Sequence, residues 1–152
     1  MQQRASAVEV AEIDPDLADT AVLVETSGMD MEDMANCIVI SGRRAGEERV
    51  CAALVLGTTR ADVNTAVRKR LDVRKCSFMP MDDAVGRTGM EYGGITPVGL
   101  PADWPVLVDS RVVERDRIVI GSGVRRSKLR LPGATAAELP GAEVVAGLAV
   151  PV

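Results

Sequence analysis

Apolar positions recur at two spacings along this chain, and the switches between them mark out its elements. Val8 to Ile13 alternates enough to predict a first strand. Asp14-Pro15-Asp16 supplies a helix start, with proline near the first helical position and acids in the first turn. Leu17, Ala18, Ala21, Val22 and Val24 give that helix an apolar face up to about Thr26, and Ser27-Gly28 ends it. A short helical turn is expected over 30–35, then a buried strand over 37–41, a hairpin loop around Ala45-Gly46, and a strand over 48–56. Spacing of 3.6 returns over 62–71, where Val63, Ala66, Val67 and Leu71 turn inward and Arg68, Lys69 and Arg70 outward. A strand over 75–79 follows, and 81–89 opens with acids and ends on glycine, as helices do. Strands are expected over 105–109, 117–123 and 127–131, and a short helix over 134–139. The pattern is that of one mixed α+β domain spanning 1–152, with about seven strands in a central sheet and a few flanking helices.

Composition narrows the chemistry. Histidine is absent, which removes Ser-His-Asp and Cys-His catalysis, histidine metal sites and the usual base near neutral pH. Cys37, Cys51 and Cys76 lack CxxC spacing and are too few for an all-cysteine zinc site. They fit a reducing compartment, and cytoplasm is the expected location. No apolar run reaches the roughly 20 residues of a membrane helix. An enzyme built from this chain works with backbone groups, hydroxyls, carboxylates, a lysine or the substrate itself, without metal or organic cofactor.

Charge is uneven although the net value is only −4. Nine acids face Arg4 within residues 1–35, whereas residues 36–80 hold nine bases against four acids. Arg68, Lys69 and Arg70 suit a helix C-terminus on a solvated surface, and equally a patch that meets a polyanion.

Three loop features stand out. Gly93-Gly94-Ile95-Thr96-Pro97-Val98-Gly99 carries paired glycines, which serve either a tight crossover or a backbone brought close to a ligand. Gly121-Ser122-Gly123 follows a strand directly, and its N–H groups suit an anion or carbonyl; Arg125, Arg126 and Lys128 lie beside it. The GxxxxGK[ST] spacing of an NTPase is missing. Asn36-Cys37 stands where a helical turn gives way to a strand, a place where asparagine commonly caps backbone groups.

In this order, the features resemble the YbaK-type aminoacyl-tRNA deacylases, relatives of the editing domain of bacterial prolyl-tRNA synthetases. Thr88 to Gly99 (TGMEYGGITPVG) is similar to that family's signature loop, and PVLVD (105–109), IVIGSG (118–123) and LRL (129–131) continue the match over about 34–139. The resemblance implies a pocket for the aminoacyl end of tRNA, with tRNA as partner and a synthetase as a further one. Gly93 and Gly94 would frame the scissile ester, with Gly121, Ser122 and Gly123 on the opposite wall. Cys37, Ile95, Thr96, Pro97 and Gly99 would line the pocket, and Arg68, Lys69, Arg70, Arg125 and Arg126 would meet the tRNA. Hydrolysis in this family leans on the terminal ribose hydroxyl and a water, which suits a chain without histidine.

Two positions depart from the family pattern. Many members carry lysine where this chain has Asn36, and aspartate where it has Lys128. The expectation is that Lys128 supplies the missing positive group from the other wall while Asn36 donates a neutral hydrogen bond. The alternative is a branch with another substrate, or a module that binds tRNA or an aminoacyl-nucleotide without catalysis.

Overall fold

A long hairpin organises the molecule. In the computed structural model, which describes residues 9–12 and 31–151, β2 (Ala35–Arg44) pairs antiparallel with β3 (Glu47–Leu56) along their full ten residues. Ala45 and Gly46 join them with φ of 52° and 82°; a two-residue turn with both φ positive matches the right-handed strand twist. The helix expected over 14–26 lies outside the described residues. Of the helical turn expected over 30–35, Met31–Asp33 forms a 3-10 turn. β1 (Glu9–Glu12) occupies the described part of the first expected strand.

β3 is the central strand of the larger sheet. Its run from Val50 to Leu56 is buried without interruption, because both faces are covered. The sheet order is β5-β2-β3-β6-β9, where β5 is Lys75–Phe78, β6 is Val106–Asp109 and β9 is Ala142–Val145. β5 pairs antiparallel with β2, whereas β3–β6 and β6–β9 are parallel, so the sheet is mixed. One face carries Ile38, Ile40, Cys51, Ala53 and Val55, packed against Val67 and Leu71. Val67 ends a π turn, Val63–Val67, that leads into α1 (Arg68–Leu71), whose last residue is Leu71. On the other face, Val39 and Val50 pack with Met79, Trp104 and Ala84, the last on α2 (Met81–Thr88). Next to them Ala35, Leu54, Leu56, Val106 and Val108 meet Ile118, Ile120 and Leu131.

These last three residues belong to a second sheet of order β1-β8-β7, with β7 at Ile118–Gly121 and β8 at Ser127–Leu131. It joins the first through a parallel bridge between Met34 and Val119. The outer edge of β2 therefore changes partner along its length. Val119 bridges it at Met34, and β5 pairs with it only from Ile40 to Arg43. A hydrogen bond donated by the Met79 N–H to the Val39 carbonyl, at 2.9 Å, ends that coverage. The strands part over residues 35–38.

All seven expected strands are present within the described residues. β4 (Thr59–Ala61), β9 and β10 (Ala149–Pro151) were not expected, nor was α3 (Ser110–Val113). Three or four residues are too few to show a period. The expected helix over 134–139 is α4 (Gly133–Ala136), begun one residue earlier. None of the helices among the described residues is long and apolar enough to cross a membrane.

Asp109 ties the end of β6 to the rest. It is 1% exposed; Oδ1 accepts the amide of Arg111 as the N-cap of α3, and Oδ2 accepts the amide of Ala149 at the start of β10. Asp109→Ala leaves both amides without that acceptor and is expected to lower unfolding stability by about 2–4 kcal/mol. Asp109→Asn, which keeps one acceptor, should lose less; urea melts of both variants check this.

Candidate functional site

The gap beside β2 is filled by the glycine-rich segment that follows α2. Gly89 ends that helix in the left-handed region at φ 72°, and the chain turns back across the edge of the sheet. Gly94 donates to Glu91 O at 2.9 Å, closing a tight turn around Tyr92 and Gly93, and Gly93 sits at φ 81°. Two backbone bonds then strap this loop to the one after β7. Gly123 N–H donates to Gly94 O at 2.7 Å, and Glu91 N–H donates to Gly123 O at 2.9 Å. Arg125 adds its amide to Glu91 Oε1 and its guanidinium to Tyr92 O, both at 3.0 Å.

The glycines are required by this contact. A Cβ on Gly121 would stand 2.4 Å from Ile95 O, and one on Gly94 would stand 2.9 Å from the Val124 backbone. The segments expected to face each other across a substrate thus touch directly at Gly94, Gly121 and Gly123. Their glycines serve close backbone approach, and the free space lies beside the contact rather than within it. Ser122 closes the second loop through Ser127 Oγ at 2.7 Å. Thr96 and Pro97 are buried, with the Thr96 hydroxyl accepting from Val98 N, while Gly99 is exposed at φ 81°.

The free space is a cavity of about 250 Å³ lined by Cys37, Ile38, Val39, Phe78, Met79, Met81, Ala84 and Ile95. The lining is apolar except for one thiol. Of the expected substrate-binding residues, the structure brings Cys37 and Ile95 to this cavity. Five of its liners, Ile38, Val39, Met79, Met81 and Ala84, carried no functional signal in the sequence because they read as ordinary strand and helix positions. Phe78 alone offered one: it is the sole phenylalanine and is 60% exposed.

Register places the two departing residues. Lys128 pairs with Gly121, and Met34 bridges Val119, so alternation along the strands puts Lys128, Gly121 and Asn36 on one side. Ile95 O approaches Gly121 from that same side, while the Ile95 side chain packs with Val39 and Met79 across the sheet. Lys128 is 6% exposed, not on a wet face. The basic helix is elsewhere. Arg68, Lys69 and Arg70 ride on α1, which covers the face opposite α2, and Arg70 is ion-paired with Glu143. Arg125 is occupied in the loop strap, and Arg126 is exposed.

Burial disfavours the thiolate at all three cysteines. Burial, with Cys51 nearby, pushes the Cys37 thiol up to about 12, and burial with Cys76 nearby does the same to Cys51. Thiols this weak stay protonated at neutral pH. Among the described residues no cluster of three His, Cys, Asp or Glu could hold a metal.

Residues 14–139 match the sequence model of the aminoacyl-tRNA editing domain. The chain belongs to this family. Three solved structures share the fold of this editing domain. One, "hypothetical protein APE2540", is 20% identical with a TM-score of 0.83, covering 98% of this chain and 95% of that one. A second, a "putative trans-editing enzyme for prolyl tRNA synthetase", is 19% identical with a TM-score of 0.78, covering 95% and 89%. A designed epitope scaffold has the same identity and TM-score and covers 95% and 90%. No curated protein matches the chain.

Raised thiols make the editing domain sensitive to alkali. The unfolded chain ionises its cysteines near pH 9, whereas the folded chain holds Cys37 and Cys51 neutral to about 12. Between these values the unfolded state binds fewer protons, so stability should fall as pH rises from about 9 toward 12. Thermal melts across pH 8–11 should show a steeper loss for the wild type than for Cys37→Ala or Cys51→Ala.

Proposed function

We propose that this editing domain is a trans-acting deacylase that hydrolyses the aminoacyl ester of mischarged tRNA in the cytoplasm. The observation that carries the reading is the apolar cavity beside the strapped glycine loop, in a chain of the aminoacyl-tRNA editing family. At about 250 Å³ it is smaller than the range of ordinary small-molecule sites, which suits one small side chain. Such a cavity acts as a second sieve: it admits what a synthetase fails to reject and excludes what is larger.

Water adds to the ester carbonyl carbon, the bond from that carbon to the ribose oxygen breaks, and the ribose oxygen leaves with a proton. With neither histidine nor an ionised thiol at hand, the terminal ribose hydroxyl of the substrate orients the water. The loop contributes electrostatics. Among the described residues the amides of Gly94, Thr96, Gly123 and Arg125 are used within the loops. Those of Gly93 and Ile95 are left to donate to the developing oxyanion. Lys128 and Asn36, on the side where Ile95 O meets Gly121, serve as charge and hydrogen-bond donor toward the ester.

A panel of mischarged tRNAs tests this reading. Small aminoacyl groups should be hydrolysed faster than bulky ones, and Lys128→Ala should abolish the activity. Binding of tRNA without hydrolysis of any ester would favour the non-catalytic module. Full activity of Lys128→Ala would remove that residue from the mechanism.

A further inference from the structure

A second depression, of about 820 Å³, lies on the β2–β5 pair near the hairpin turn. Ser41, Arg43, Glu48, Arg74, Lys75 and Ser77 line it. Register decides which of these groups share a face. Ser41 is opposite Ser77, and Arg43 is opposite both Lys75 on β5 and Glu48 on β3. Residues 39, 41 and 43 share one face by alternation, and Val39 fixes that face as the one α2 covers. Glu48 agrees with this, because its partner Arg87 belongs to α2. Two hydroxyls and two cations therefore stand together. The segment before β5 runs tight against β2 at Gly42, where a Cβ would stand 2.5 Å from Lys75 O and 2.7 Å from Val73 Cγ2. That approach brings Arg74 to the same depression. About 13 Å of strand separates Arg43 from Val39 at the apolar cavity, so the two places are distinct.

The charges here do not balance. Arg43 and Lys75 are exposed and directly opposite each other, an arrangement that is destabilising for like charges. Glu48, the acid of the depression, is already used. Both its oxygens accept from Arg87, and that hydrogen bonding holds its carboxyl below the usual range. Arg44 and Arg49, by contrast, share Asp72, and Arg70 has Glu143. Among the described residues Arg43, Arg74 and Lys75 have no ion-pair partner. The side-chain bond Arg43 makes is to the Gly46 carbonyl of its own hairpin turn, at 3.2 Å. An anion placed among the three cations removes their repulsion.

Size and charge together select the anion. Opposite residues lie about 5 Å apart, and same-face neighbours about 7 Å along a strand. The hydroxyl pair and the cation pair thus outline a patch that one compact group fills. A nucleic-acid strand brings one charge per phosphate and spreads the rest along its length, whereas a terminal phosphate carries nearly two. Two joined phosphates match three cations. We propose that this depression binds the diphosphate group of a small molecule. Arg43, Arg74 and Lys75 meet its charged oxygens, and the Ser41 and Ser77 hydroxyls donate beside them. The site goes beyond the proposed editing function and does not rest on it.

Calorimetric titration of the full chain with inorganic pyrophosphate, at fixed ionic strength, tests this. Saturable binding of one pyrophosphate per chain is expected, with a rise in melting temperature because the folded state is the one that binds. Arg74→Gln with Lys75→Gln should weaken binding about tenfold or more, and Ser41→Ala with Ser77→Ala about threefold or more, the scales of charged and neutral hydrogen bonds. Arg60→Gln with Arg117→Gln removes two exposed cations elsewhere and should leave the affinity unchanged. Without ligand, the Arg74 and Lys75 double variant should melt no lower than the wild type, because the charge it removes is repulsive. ADP separates the sources of the group: binding tighter than pyrophosphate assigns the site to a nucleotide, and weaker binding to free pyrophosphate. A six-residue RNA with hydroxyls at both ends carries phosphodiesters alone and should bind more weakly than pyrophosphate. Absence of saturable binding overturns the proposal, as does an equal loss in the Arg60 and Arg117 variant. So does a lower melting temperature of the Arg74 and Lys75 variant, or tighter binding of the RNA through those two residues.

Discussion

The contact between two glycine loops is the constraint on which the rest of this site depends. Gly121 admits Ile95 O where a methyl group would stand at 2.4 Å, and Gly94 O accepts the Gly123 amide at 2.7 Å. Those contacts hold the loop after α2 in the notch where β2 has parted from β5 and has only touched β7. With the loop fixed there, the Ile95 side chain closes one wall of a cavity whose floor is the hairpin strand. Without the strap, the notch would be an open sheet edge with unpaired backbone groups. The fold leaves an edge uncovered by strands and places the glycine-rich loop beside it.

That arrangement separates two tasks. Rigid strands supply the apolar floor and the cross-strand positions of charge, while the loop supplies amides and the final wall. In the proposed editing function, selection by size is a property of packing among Val39, Met79, Ala84 and Ile95, residues that also belong to or pack against the core. Function and stability share side chains here. A substitution that enlarges the cavity costs the core contacts as well, because interiors are close-packed and relax only partly.

Much of this was legible in the sequence. The hairpin, the helical stretch over 62–71 (though not that its first part, Val63–Val67, is a π turn), helix α2 and the strands 106–109, 118–121 and 127–131 follow from period and from glycine and proline punctuation. The loop signature pointed to the segment that supplies Ile95 to the cavity. What the sequence could not show is how that segment sits. Paired glycines look the same whether they face a ligand or another backbone, and only the fold shows that Gly94 and Gly121 face each other's loops. The basic run at Arg68–Arg70 was conspicuous because it is contiguous. Arg43, Arg74 and Lys75 are scattered over 32 positions and meet only through the β2–β5 register. Short strands such as β4 and β10 escaped because three residues carry no period, and they form by pairing with each other from distant parts of the chain.

In the proposed editing function, the cavity walled by Ile95 selects an aminoacyl ester by size, and hydrolysis follows from that fit. Steady-state deacylation of one tRNA charged in turn with a small and a bulkier amino acid, by the wild type and by Ile95→Ala, tests it most directly. The account predicts that the wild type prefers the small ester and that Ile95→Ala shifts kcat/KM toward the bulkier one by about tenfold, the scale of a one- or two-methylene change in a hydrophobic pocket. An equal change for both esters would contradict it, as would a wild type indifferent to side-chain size.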